Sequence, residues 1–485
     1  MKHFFFLFFS FLPLSVFSIE LTDHNAIEPF DANFMQKMPN TAEQLKFSEQ
    51  NSPDIPDDFS YDDLKNNIYL TEKILNNLLL QNNIKFIPFL LKIYESFPNK
   101  DPILLDFAYA RIEKENGNFE QAIKLYRKIL VSNPKLNPIR FTLATTLFEN
   151  KQNNLAREQF EKLRQESDLP DTIKAQVESY LYSIQQQNNW KFNITASYVN
   201  ERNVNNASSS TYIPEITLAG LPFKKGKSML PQKAKGISYS LNLSKEFNLY
   251  KNHYLIFEQQ LYGKSYWTNH SFDDANSRTS LGYAYKNTLS VTKITPFYAL
   301  RWYGNHRYSK SGGLHLSYRK WLTPHWQYSA SGEYAIQRYP ENTVLNGINY
   351  QLSSTLLWQN DSTQFSYVGA DYYHENTRAK QYSNDKTTLR IGWEKHWEWE
   401  GLSNHIFLSA SHRKYKDQAK IGVFPLGKRR IDKIYVATIM LWKRDWQLWH
   451  ITPKLVLKWH KQSSNIPSLY QYTDKNINLV FEVGL

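Results

Sequence analysis

The sequence predicts an α plus transmembrane β fold: a helical solenoid followed by an antiparallel outer-membrane β-barrel of about 14 strands. Three observations lead there. A helical pattern repeats every 34 residues in the first half, two-residue alternations run from Trp190 to the C terminus, and the connections between them alternate short and long.

The opening residues, "MKHFFFLFFSFLPLSVFS", pair a basic start with an apolar run and a small residue at Ser18, and read as a cleaved secretory signal over 1–18. No later segment approaches the roughly 20 continuous apolar residues of a membrane helix. The chain has no cysteine, which excludes disulfides and thiolate chemistry. A polar extension, 19–59, carries Pro and Asp in "NSPDIPDDFSYDD". At Trp190 the composition breaks. From there on the chain has 38 Lys+Arg against 20 Asp+Glu; subtraction from the totals of 58 and 45 leaves 20 and 25 before it. All 13 Trp lie at or after Trp190, so two unlike modules are expected to meet near residue 188.

Residues 60–187 show helical spacing. Aligning "FAYARIEKENGNFEQAIKLYRKILVSNP" with "FTLATTLFENKQNNLAREQFEKLRQESD" matches Ala110 with Ala144, Ala122 with Ala156 and Tyr126 with Phe160, each pair 34 residues apart. Small residues where paired helices touch, with Pro134 closing the unit, give the tetratricopeptide pattern. These six residues are expected to be packing positions, and any ligand surface belongs to the solenoid's concave face. A third repeat, "NLLLQNNIKFIPFLLKIYESFPN", is degenerate. About three repeats is the lower limit for stability, so the unit is expected to lean on the rest of the chain.

Residues 188–485 alternate. In the first strand Phe192, Ile194, Ala196 and Tyr198 oppose Lys191, Asn193, Thr195 and Ser197. In "LWHITPKLVLKWH" Trp449, Ile451, Leu455, Leu457 and Trp459 oppose His450, Thr452, Lys454 and Lys458. The strands reach the 9–11 residues of a tilted membrane strand, and Trp and Tyr cluster at their ends, at headgroup depth. Fourteen strands are expected, beginning near 190, 236, 253, 277, 290, 312, 325, 347, 363, 385, 403, 431, 447 and 475. Long loops such as 201–236, "WTNHSFDDAN", "YGNHRYSKS" and "YPENTVLN" alternate with short turns such as "YKN", "KNT", "LTP" and "QNDS". The short turns, the solenoid and the C terminus then share the periplasmic side. The apolar face of "INLVFEVGL" persists to Leu485, as a last strand that closes on the first requires.

Lumen-facing positions hold charges of both signs: Lys191, Glu246, Arg278, Arg319, Arg390, Glu394, Lys454 and Lys458. A one-sign tunnel suited to a polyanion is not what this mixture describes. The basic clusters "FKKGK", "QKAK", "HRKYK" and "GKRR" are expected on extracellular loops, against phosphates of the outer-leaflet glycolipid, lipopolysaccharide. Split among separate loops, they do not form a nucleic-acid surface. The 13 His are scattered without metal-ligand spacing. Ser403 and His405 in "GLSNH" share a strand face without a visible third partner, so no enzyme activity, cofactor or metal is expected.

The segment "SYVNERNVNNAS" ends the first strand, and its Asn203, Val204, Asn205, Asn206 and Ala207 look like the "NVNNA" stretch of the Slam family. With the layout of repeats and barrel, the mature chain resembles these surface lipoprotein assembly modulators, outer-membrane components of the type eleven secretion system. The resemblance implies export of surface lipoproteins, or of soluble haem- or metal-acquisition proteins, from periplasm to cell surface. It also implies as partners that cargo, its periplasmic chaperone and the barrel assembly machinery, with a monomeric barrel in the outer membrane. The alternatives are an exopolysaccharide export porin and a receptor or structural barrel.

Overall fold

A computed structural model describes residues 61–80, 86–218, 220–422, 424–446 and 451–484. The expected signal, the polar extension, Trp449 and His450 lie outside the described residues. Among the described residues eight helices come first: α1 (Tyr61–Asn66), α2 (Ile68–Leu80), α3 (Ile87–Glu95), α4 (Pro102–Glu115), α5 (Phe119–Ser132), α6 (Asn137–Glu149), α7 (Asn153–Arg164) and α8 (Asp171–Gln187). Pro102 and Pro138 sit in the first turns of α4 and α6, where a missing N–H costs nothing. The Asp101 carboxylate caps α4 by accepting from the Ile103 amide at 2.8 Å.

Ala110, Ala122, Tyr126, Ala144, Ala156 and Phe160 are all fully buried in one core that runs from α4 to α8. Phe160 stacks on Tyr180 of α8 at 4.9 Å and meets Phe141 edge-on at 6.1 Å. The degenerate third repeat, α2 and α3, forms its own core around Leu75, Ile87 and Tyr94, joined to α4 through Leu104 and Ala108.

The barrel follows from β1 (Lys191–Glu201). The first loop contains a hairpin, β2 (Tyr212–Leu218) and β3 (Leu221–Lys224). Thirteen more barrel strands follow: β4 (Ala234–Tyr250), β5 (His253–Tyr266), β6 (Asp274–Lys286), β7 (Ser290–Tyr303), β8 (His306–Trp321), β9 (Trp326–Arg338), β10 (Gly347–Asp361), β11 (Gln364–Thr377), β12 (Asn384–His396), β13 (Leu402–Ile421), β14 (Phe424–Lys443), β15 (Ile451–Ser464) and β16 (Tyr472–Gly484). A short helix, α9 (Pro467–Tyr470), lies between the last two. Each barrel strand pairs antiparallel with its neighbours, and β16 pairs with β1 to close the barrel. Exposed side chains alternate along each strand, as at Phe192, Ile194 and Tyr198 of β1 or Ile477, Leu479 and Phe481 of β16, and form the lipid face.

Strand number and order follow the alternation; several boundaries do not. β8 begins at His306 rather than near 312, because "YGNHRYSKS" is no loop. Gly304 and Asn305 both have positive φ (57° and 65°), giving a two-residue turn whose twist matches the flanking strands. β14 begins at Phe424 rather than near 431, so "HRKYK" and "GKRR" lie on the 20-residue strands β13 and β14 instead of loops. Above the hydrocarbon a strand has no need of an apolar face, and the alternation that marks it in sequence disappears. β6 and β16 begin three residues early, at Asp274 and Tyr472, for the same reason.

Candidate functional site

The polypeptide enters β1 from α8 through Asn188–Trp190, so the helical domain sits at the short-turn end of the barrel. Two solenoid turns touch that end. At the α4–α5 turn Gly117 has φ of 81°, and a Cβ placed on it would meet the Leu289 methyl of the β6–β7 turn at 3.7 Å. The α6–α7 turn docks more deeply. The Asn252 side chain donates to the Asn150 carbonyl at 2.6 Å and accepts from Gln152 at 2.9 Å. The Asn154 amide donates to Asn248 Oδ1 at 2.9 Å, and its side chain donates to the Asn248 carbonyl at 2.6 Å. Tyr254 donates to the Lys151 carbonyl and Thr288 to the Glu149 carbonyl at 3.0 Å. Gln152 and Asn252 are 1% and 2% exposed, so these bonds are shielded from competing water. Lys151 takes a left-handed conformation (φ 61°) at the position where the preceding repeat has Gly117. Burial beside the barrel pushes its ammonium pKa down, partly opposed by Glu149 and Glu246.

Inside the barrel, the eight charges singled out above lie on the inward face of their strands, opposite the exposed apolar set. Five of them form ion pairs with residues on other strands. Glu246 of β4 pairs with Lys286 of β6, with Lys191 acting on the same carboxylate. Arg278 of β6 reaches across to Glu333 of β9 at 2.8 and 3.2 Å, its guanidinium 3.6 Å from the Phe297 ring centre. Arg390 of β12 grips Asp371 of β11 at 2.6 and 2.8 Å and also donates to Ser353 and Thr355 of β10. Glu394 accepts from His405 at 2.9 Å, and Lys454 pairs with Glu482. Arg319 and Lys458 also face inward. The partners Lys286, Glu333, Asp371 and Glu482 were not singled out in the sequence, because a pair between residues on different strands leaves no local pattern. The lumen wall is therefore internally neutralised along much of its length.

Ser403 and His405 do acquire neighbours. Ser403 Oγ lies 2.9 Å from His396 Nδ1, and His396 Nε2 lies 3.3 Å from Glu394. This resembles a nucleophile–base–acid line, but Ser403 is wholly buried and its hydroxyl is closed to any substrate. Among the described residues no group of His, Asp and Glu is arranged to hold a metal.

At the opposite mouth the "NVNNA" residues form a turn that shapes the first loop. The Asn203 side chain accepts from the Ala207 amide and donates to the Ala207 carbonyl, both at 2.9 Å. Asn206 takes a positive φ of 50°, and its amide donates to the Asn203 carbonyl at 3.0 Å. Asn205 ties the loop's start to its end through Leu230 and Gln232, both at 2.9 Å, while Val204 packs on Val199, Ala234 and Tyr266. The β2–β3 hairpin so directed packs on the barrel rim at β13, β14 and α9. Its Ile213 is fully buried against Ala419 of β13, Leu426 of β14, Leu469 of α9 and Ile466 at the α9 N-cap. Lys225 donates to the Ser468 carbonyl, Ser208 donates to the Pro467 carbonyl at 2.9 Å, and burial pushes the Lys225 ammonium pKa down. Arg430, 3.7 Å from the Tyr470 ring centre, pairs at 2.7 Å with the fully buried Asp432 and fixes α9 to β14.

Comparison with known proteins agrees with this layout. Residues 190–483 match the model of the surface lipoprotein assembly modifier family, and residues 58–160 match that family's N-terminal TPR repeats. Surface lipoprotein assembly modifier 1 of Haemophilus influenzae (strain Rd) is 36% identical over 406 residues, covering 82% of this chain and 81% of its own. Surface lipoprotein assembly modifier of Pasteurella multocida is 35% identical, covering 83% and 80%. The hemophilin secretion modulator of Acinetobacter baumannii is 22% identical, covering 81% of each chain. With a closed 14-stranded barrel behind a helical repeat domain, the chain belongs to the surface lipoprotein assembly modifier family.

Proposed function

We propose that this protein is an outer-membrane translocator that carries surface lipoproteins, or related soluble haem- or metal-acquisition proteins, from periplasm to cell surface. The observation that carries the reading is the docking of the solenoid, through buried hydrogen bonds at Asn150–Asn154, onto the turns at the barrel's entry end. A cargo held on the solenoid is thereby delivered beside the lumen rather than on a free tether. The names of the relatives point to the same class of cargo. In this reading the solenoid is periplasmic and receives cargo from a chaperone, and the barrel is a monomer inserted by the barrel assembly machinery. The basic residues of 223–235 and of the β13–β14 hairpin meet lipopolysaccharide phosphates. The process has no catalytic step and needs no cofactor, and cargo folding outside supplies direction. A neutralised lumen wall favours an unfolded polypeptide of mixed charge over a polyanion such as an acidic polysaccharide.

The test is protease shaving of intact cells that produce a lipoprotein encoded beside this gene, with and without the protein. Cargo that becomes protease-sensitive only when the protein is present supports the reading. Exposure unchanged with the barrel correctly inserted refutes it for that cargo.

A further inference from the structure

The seam that closes the barrel is short. β1 pairs with β4 along its whole length, from Lys191↔Ser244 to Glu201↔Ala234. Its pairing with β16 runs only from Asn193↔Gly484 to Ser197↔Val480. Beyond that point Tyr198–Glu201 pair with β4 alone, and Tyr472–Leu479 pair with β15 alone. The zipped part is at the entry end and the unzipped part towards the outer mouth. Leu479 and Ile477 of the unzipped edge stand opposite Leu455 and Leu457, on the hydrocarbon side of Trp459, which pairs with Lys475. The open stretch thus begins at membrane depth. Ile477 is 74% exposed, more than any other large apolar residue on the described barrel strands, as expected of a strand with no neighbour on one side.

Backbone groups left unpaired in hydrocarbon are costly, so a barrel closes fully unless opening serves a purpose. Two further features give that purpose a direction. The β2–β3 hairpin, which follows β1, crosses the outer end of this seam and packs Ile213 against β13, β14 and α9. The lumen wall is lined with ion pairs, an environment in which an acyl chain has no apolar partner. A lipidated polypeptide must put its protein part into water and its acyl chains into the outer leaflet. An axial exit serves the first need only.

We propose that the β1–β16 seam is a lateral exit through which the acyl anchor of a lipidated cargo passes from the lumen into the outer leaflet. The proposal rests on the export reading above. It assigns the unzipped edge Tyr472–Leu479 to the anchor's path, with Ser197↔Val480 as the pair that must part first.

The chain lacks cysteine, so a Ser197→Cys, Val480→Cys double variant contains a single possible disulfide. A Thr195→Cys, Ser240→Cys variant places the control disulfide on the intact β1–β4 side. Surface display of a lipidated cargo is compared with release of the same cargo lacking its lipid-accepting cysteine. The oxidised seam is expected to lose display of the lipidated form, to recover it with reductant and to keep releasing the unlipidated form; the control disulfide changes neither. Display at the wild-type level with the seam oxidised overturns the proposal, and so does loss of both forms alike. If the wild-type protein exports neither form, the export reading fails first. Should the disulfide variants not assemble, a photo-crosslinking residue at Ile477 is expected to capture the cargo's anchor during export. The same probe at Leu389, on the far lipid face, is not; equal capture at both sites overturns the proposal.

Discussion

Asn252→Ala should loosen the solenoid from the barrel without disturbing either fold. Asn252 makes two of the hydrogen bonds across the interface, to Gln152 and to the Asn150 carbonyl, and a third within the barrel to the Lys286 carbonyl at 2.5 Å. A net hydrogen bond contributes about 0.5–1.5 kcal/mol, so the two interfacial bonds together hold about 1–3 kcal/mol of docking free energy. That corresponds to a shift of about 5–150-fold in the docked-to-undocked ratio. The Asn154 amide reports docking directly, because it donates to Asn248 Oδ1 across the interface. Hydrogen exchange on the detergent-solubilised protein should show Asn154 exchanging faster by a factor in that range. Amides in the middle of α5 and β10 should be unchanged. Gln152 keeps Glu120 as an acceptor at 2.5 Å, which places the effect towards the lower end. Unaltered exchange at Asn154 would refute the claim that these buried bonds hold the domains together. Export should fall in parallel with docking if delivery beside the lumen matters.

Phe160→Ala removes a fully buried ring packed on Phe141 and Tyr180, and should cost the solenoid about 3–5 kcal/mol. Loss of helical circular dichroism at lower temperature, with the barrel's heat-dependent gel mobility unchanged, checks it. Burial raises the Tyr126 hydroxyl pKa well above its usual 10. A group whose pKa is higher in the folded state contributes its stability below the unfolded value and loses it as pH rises through the folded one. The solenoid should therefore weaken above pH 10, and Tyr126→Phe should blunt that alkaline loss while leaving pH 7 stability nearly unchanged; pH-dependent melts decide it. At the mouth, Asp432→Ala strands Arg430 as a buried charge and should destabilise the contact between α9 and β14 by about 3–5 kcal/mol. Protease added to intact cells should then cut within the β2–β3 hairpin, which stays protected in the wild type.

The sequence by itself determined what is written in short periods. The matches 34 residues apart located α4 to α7, and two-residue alternation located 14 strands with their order and their inward and outward faces. It misplaced ends where the solvent relaxes the pattern. Strand residues beyond the hydrocarbon, as at His306–Lys310 or Phe424–Arg430, need no apolar face and read as loop. Repeat matching aligned Gly117 with Lys151 without saying why a lysine takes a left-handed turn; the barrel's Tyr254, bonded to the Lys151 carbonyl, holds that conformation. "NVNNA" was visible as a motif, but its work of tying Asn205 to Leu230 and Gln232 depends on the loop's return. Only the tertiary structure decided the docking of α6–α7, the lumen ion pairs, the packing of the hairpin on the rim and the half-zipped seam. Each joins residues far apart in the chain, from Asn154 and Asn248 to Ser197 and Val480. Periodicity reports the environment a residue faces; it carries no record of which distant residue shares it.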